Sequence, residues 1–91
     1  MKKFIVVAYD IEDDRRRRKV CKLLEATGKR VNKSVFECFL SDVQFAKLKK
    51  GIAKRATRYD TILYYPLCRS CIERIDRQGI EWVEPQIVKI F

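Results

Sequence analysis

Apolar residues run unbroken from Phe4 to Ala8, and Tyr9-Asp10 close the run. Successive side chains on a strand point to opposite faces. Phe4, Val6 and Ala8 therefore share one face, and Ile5, Val7 and Tyr9 the other. Both sets are apolar up to the acid, the pattern of a central strand covered on two sides. The spacing predicts a strand over residues 3–10. Val20, Leu23, Leu24 and Thr27 then recur at helical spacing. Asp13 or Asp14 can cap that helix, whose N-terminal dipole favours acids. Gly28 is expected to stop it. Projected back along the same face, Arg16 and Arg17 fall on the Val20/Leu24 side. Arg15 and Arg18 point away, towards water or a partner.

Residues 30–40 form a long extended run with no Gly or Pro to mark a turn, so periodicity leaves open one strand or two. Ser41-Asp-Val-Gln44 is a capping box. The helix after it carries Phe45, Leu48, Ile52 and Ala56 on one face and Lys47, Lys49, Lys50, Lys54 and Arg55 elsewhere. Gly51 weakens it by about 1 kcal/mol. A further strand is expected over residues 60–65, ended by Pro66. A short strand is expected over 73–77, and an extended segment over 80–91 that Pro85 confines to an edge. The order is β-α-β(β)-α-β with a C-terminal strand. If the 30–40 run splits, this is the ferredoxin-like α+β pattern. That fold leaves one sheet face bare. With central strands apolar on both faces, a second copy of the chain is the economical cover.

Ninety-one residues suit one domain, residues 1–91. No apolar stretch approaches membrane-spanning length. The run behind Lys2 and Lys3 is too short for a signal peptide, so the expectation is a cytoplasmic chain with no membrane partner. Net charge is +9, which implies a polyanion, most commonly nucleic acid. There is no histidine. That excludes a Ser-His-Asp triad, a histidine base and a histidine metal ligand, leaving carboxylates, a metal or a less usual base. Cys21 and Cys38 read as small core residues. Cys68-Arg-Ser-Cys71 is a CxxC without a second pair in the same chain. It reads as structural or incidental thiols, with a redox pair or a zinc site shared across a dimer as alternatives.

Asp10 is the candidate metal ligand. Two such carboxylates, one from each chain of a dimer, could hold Mg²⁺ with waters completing the octahedron. The bland alternative is that Asp10 caps the first helix or pairs with Arg17. Tyr9 could donate a hydrogen bond or stack on a base, or serve as amphipathic core. Arg15-Arg-Arg-Arg-Lys19 would neutralise phosphates.

The ordered set Val7-Ala-Tyr-Asp10-Ile-Glu-Asp-Asp14, Arg17, Gly28-Lys-Arg-Val-Asn-Lys-Ser-Val-Phe-Glu-Cys38, Leu40-Ser41 and Tyr65-Pro-Leu-Cys68 closely resembles the CRISPR-associated protein two family. The resemblance covers nearly the whole chain. It implies a ferredoxin-like homodimer with facing sheets, a tight turn inside the 30–40 run, and residues 80–91 pairing with the partner protomer. It places the metal aspartate at Asp10, with Tyr9 beside it and the helix arginine at Arg17. Lys19 and Arg30 become further basic positions, and Ser34 and Phe36 supporting ones. The family's members are described as endoribonucleases or deoxyribonucleases that act in spacer acquisition with the CRISPR integrase. The expected function is metal-dependent phosphodiester cleavage of RNA or DNA, with Asp10, Tyr9 and Arg17 catalytic and Mg²⁺ or another divalent cation as cofactor. Arg15, Arg16, Arg18, Lys19 and Arg30 would bind duplex DNA or single-stranded RNA. The alternative is a non-catalytic dimeric adaptor that bridges integrase dimers and grips duplex DNA. A base-stacking RNA-binding module fits less well, because Asn32–Phe39 lacks the glycine of its strand motif.

Overall fold

The computed structural model describes residues 1–78. Four antiparallel strands form one sheet in the order β2-β3-β1-β4, with β1 at Lys2–Asp10, β2 at Gly28–Asn32, β3 at Val35–Ser41 and β4 at Thr61–Leu67. Helices α1 (Asp14–Glu25) and α2 (Asp42–Arg55) follow β1 and β3, and a short α3 (Arg69–Glu73) follows β4. This is the ferredoxin-like arrangement, with the twice-apolar strand β1 between β3 and β4. The core lies between the sheet and the first two helices. Ile5, Val7 and Tyr9 of β1 and Phe36, Cys38 and Leu40 of β3 meet Val20 and Leu24 of α1 and Leu48 and Ile52 of α2. Among the described residues, no helix is long and apolar enough to cross a membrane.

Local chemistry accounts for the element ends. Asp13 caps α1, its Oδ2 accepting the Arg16 amide at 2.9 Å. Ser41 and Gln44 form the reciprocal capping box of α2, at 3.2 and 2.8 Å. The 30–40 run divides at Lys33-Ser34 into β2 and β3, the turn the family resemblance implies.

Three local expectations need correction. Gly28 does not stop α1. The helix ends at Glu25, where the Thr27 hydroxyl donates to the carbonyls of Leu23 and Leu24, each at 3.2 Å. Gly28 opens β2 instead. A Cβ there would collide with Sγ of Cys38 and lie 2.7 Å from the Glu37 carbonyl oxygen, so the glycine serves close approach rather than a left-handed turn. Pro66 does not end β4. It sits inside the strand opposite Ile5, tolerated because β4 is an edge of the described sheet. No strand forms over 73–77. The chain winds into α3, which buries Ile72, and then runs on irregularly.

The sheet face away from α1 and α2 is less uniformly apolar than β1 suggests. Glu37 lies there, between the core residues Phe36 and Cys38, and is only 8% exposed. Arg77 Nη2 reaches both its carboxylate oxygens, at 2.5 and 2.6 Å. This pair carries the chain after β4 back across the sheet to β3. Phe4 is fully buried, while Leu63 and Tyr65 of β4 stay exposed. The extended segment expected over 80–91, and its pairing with a partner, lie outside the described residues.

Candidate nucleic-acid and metal site

Asp10 ends β1 at the rim of the sheet, its backbone opposite Thr61 of β4. Its side chain is exposed and, among the described residues, has no hydrogen-bond or ion-pair partner. Both bland roles for this acid are taken by other groups. Asp13 caps α1. Arg17 turns to the loop, where one Nη1 donates to the carbonyls of Ile11 at 3.0 Å and Glu12 at 3.2 Å, and Nη2 meets Asp14. Arg17 thus braces the two residues after Asp10 without neutralising it.

Tyr9 is pinned from three sides. Its amide donates to the Ser34 carbonyl at 3.0 Å and its hydroxyl to the Lys33 carbonyl at 3.3 Å. Its ring stacks on the fully buried Phe36, with centroids 6.3 Å apart. Arg30 holds the same turn, donating to the Lys33 carbonyl at 2.6 Å and the Asn32 carbonyl at 3.3 Å. Burial, followed by the Cys21 thiol, pushes the Tyr9 phenol up to about 12. Tyr9 therefore keeps its proton at neutral pH, and its hydroxyl gives that proton to the hydrogen bond with the Lys33 carbonyl.

These groups line an open cleft of about 760 Å³ between the end of β1, α1 and the β2–β3 turn. It brings together Tyr9, Asp10, Arg17, Arg18, Arg30 and Ser34 of the expected set. Phe36 stands behind it as core. Arg15 and Lys19 are exposed elsewhere on α1, and Lys19 instead lines a basic groove between α1 and α2 with Lys22, Lys54 and Arg55. Arg16 is half-buried and bound to Asp60, Nε to Oδ2 at 3.0 Å and Nη2 to Oδ1 at 3.2 Å. The four arginines are thus sorted, with Arg16 and Arg17 engaged within the fold and Arg15 and Arg18 left exposed.

Sequence reasoning missed Lys33, Cys21, Lys22 and Glu25, which also line the cleft. Cys21 and Glu25 follow Arg17 at four-residue steps, and Lys22 follows Arg18 likewise, so helical spacing carried the signal. Cys21 Sγ donates to Glu25 Oε1 at 3.2 Å. Lys33 had no local mark, because the turn position was unresolved.

Asp10 suits a hard divalent cation, being an exposed carboxylate without a partner among the described residues. Magnesium commonly uses only one or two carboxylates together with water and substrate phosphate. Among the described residues, no three His, Cys, Asp or Glu side chains gather for a metal. A site built from protein ligands alone is therefore not present within those residues.

Residues 2–75 match the family model described as CRISPR associated protein Cas2. The chain is 44% identical over 85 residues to the CRISPR-associated endoribonuclease Cas2 3 of Synechocystis sp., covering 92% of this chain and 88% of that one. Its structure is similar to the crystal structure of Streptococcus pyogenes Cas2, with TM-score 0.75 and 29% identity, covering 84% of this chain and 99% of that one. It is also similar to a chain of a partial Cas6-RT-Cas1–Cas2 complex, with TM-score 0.72 and 27% identity, covering 82% and 89%.

Proposed function

This chain belongs to the CRISPR-associated Cas2 family, and from that premise we propose that it acts in spacer acquisition with the CRISPR integrase, as a homodimer that binds nucleic acid and cleaves phosphodiester bonds with a divalent metal. The observation that carries the proposal is the exposed Asp10 carboxylate, without a partner among the described residues, in a cleft lined by Arg17, Arg18, Arg30 and Lys33. The endoribonuclease name of the Synechocystis relative supports cleavage, and the Cas1–Cas2 complex supports the integrase partner. Exposed Leu63 and Tyr65 on the sheet face away from α1 and α2 support a second copy as cover.

Asp10 of each protomer would hold Mg²⁺ or another divalent cation, which when bound polarises a phosphate and lowers the pKa of a bound water. Arg18 and Lys33 draw the phosphate backbone into the cleft, and their charges make binding salt-dependent. Arg17 fixes the loop that follows Asp10, and Tyr9, anchored to the β2–β3 turn, fixes the strand that precedes it. The aspartate is thereby held by backbone on both sides while its carboxylate stays available.

The test compares wild type with Asp10→Ala and Asp10→Asn in a nuclease assay on RNA and on DNA, with Mg²⁺ and with chelator. Size exclusion follows the dimer. Cleavage lost in both variants, with the dimer kept, is expected. Equal cleavage by wild type and Asp10→Asn would falsify the metal-site reading.

A further inference from the structure

The four cysteines divide into two chemically distinct pairs. Cys38 is fully buried and its thiol is pushed up by that burial, while Cys21 is half-buried in the wall of the cleft, its Sγ bonded to Glu25. Such thiols behave as small core groups. Cys68 and Cys71 are both exposed, and their sulfurs lie 3.4 Å apart. Nothing in the cleft uses them. Cys68 precedes α3 and Cys71 lies one turn into it, so the helix itself brings the sulfurs together. A disulfide has an S–S bond of about 2.05 Å, so closure needs a movement of only about 1.4 Å.

The geometry points to Cys68-Arg-Ser-Cys71 as a reversible thiol–disulfide site, with Cys68 as the attacking and Cys71 as the resolving cysteine. The division of roles follows from their surroundings. The Ser70 hydroxyl, 3.2 Å from Cys68 Sγ, the Cys71 amide and the Cys71 thiol bring the Cys68 thiol down to about 7. The Cys71 thiol is held up, chiefly by its hydrogen bond with Cys68. The thiolate is the nucleophile in exchange.

The oxidant is a low-molecular-weight disulfide. The Cys68 thiolate attacks one of its sulfurs, forming a mixed disulfide and releasing one thiolate. Cys71 gives its proton to solvent and attacks Cys68 Sγ, forming the Cys68–Cys71 bond and releasing the second thiolate. The protein loses two electrons and two protons, and the small disulfide becomes two thiols. The bond would close the turn that leads to Ile72 and on to the Arg77–Glu37 pair. Oxidation thus acts where the chain begins its return across the sheet.

The test exposes the full chain to oxidised glutathione without air, followed by acid quench, alkylation and peptide mass spectrometry. The expected product has lost two hydrogens per chain, with Cys68 linked to Cys71, Cys21 and Cys38 still alkylated as thiols, and full reversal by dithiothreitol. Cys71→Ser should accumulate glutathione on Cys68. Cys68→Ser should react at Cys71 about tenfold more slowly at neutral pH. The proposal is overturned if both cysteines stay thiols, if the links run between chains or to Cys21, or if the two variants react alike. Stoichiometric zinc that the purified chain holds through both thiols, and that protects them from glutathione, also overturns it.

Discussion

Arg16 and Asp60 meet through two parallel hydrogen bonds, 3.0 and 3.2 Å long, that tie the first turn of α1 to the residue before β4. Asp60 also accepts from the Thr57 amide at 2.8 Å and the Thr57 hydroxyl at 3.3 Å, so one carboxylate closes the α2–β4 connection as well. Its side chain is 2% exposed. The Arg16 guanidinium holds the Asp60 carboxyl below the usual carboxylate range, and the Thr57 amide adds to this. An aspartate in an unfolded chain titrates near about 3.9. The stability this group contributes is therefore complete above that value and is lost as pH falls through the lower folded value. Asp60→Asn should be less stable than wild type at neutral pH and lose less stability on acidification below about pH 4. Urea unfolding across that range measures both.

The same pair separates Arg16 from its neighbours in function. Replacing Arg15 and Arg18 together by Gln should weaken nucleic-acid binding, with the slope of log affinity against log salt reduced by about 2. Arg16→Gln should instead lower thermal stability while changing that slope by less than one contact. Binding isotherms at several salt concentrations, paired with melting curves, distinguish the two outcomes. An unchanged slope in the double variant would remove these arginines from the interface.

Gly28 lies against β3 with no room for a side chain. Gly28→Ala should destabilise the fold by roughly 1–3 kcal/mol, the usual cost of overpacking. Most of that cost is expected from displacing β2 against Cys38 and Glu37. Denaturant unfolding with an unchanged m-value is the check.

Cys68 should react with iodoacetamide at a rate that rises through a half-maximal point at about pH 7. Below that pH the thiol is protonated and slow, and above it the thiolate dominates. Ser70→Ala should move the midpoint upward, because the Ser70 hydroxyl is the largest cause of the lowering. Cys38, buried and pushed the other way, should stay unreactive until the protein unfolds.

Much of the fold was legible because its signals are local. The β1 run, the Asp13 cap, the Ser41/Gln44 box and the Phe45–Leu48–Ile52–Ala56 face each depend on residues close together in the chain. The split of 30–40 was not legible from periodicity. Its turn, Lys33-Ser34, lacks Gly and Pro and is held by the distant Tyr9 and by Arg30. Gly28 and Pro66 were misread for the complementary reason. Their usual roles are local, whereas here a facing strand and an edge position decide. At the site, Asp10, Tyr9 and Arg17 could be singled out by order and type. The availability of the Asp10 carboxylate could not, because it depends on where Arg17 sends its guanidinium. Asp60 and Arg77 went unseen as partners, lying 44 and 40 residues from Arg16 and Glu37.

Pro66 has a consequence for how this sheet meets other sheets. Open strand edges invite further strands, and unchecked addition leads to aggregates. On the β4 edge the proline withholds one backbone donor, so a strand that joins finds a regular ladder only over Thr61–Tyr65. On the opposite edge, β2 presents exposed Lys29 and Arg30, with Lys33 just beyond, which repel another copy of themselves. One edge of the described sheet is shortened and the other charged, and both features disfavour open-ended strand addition.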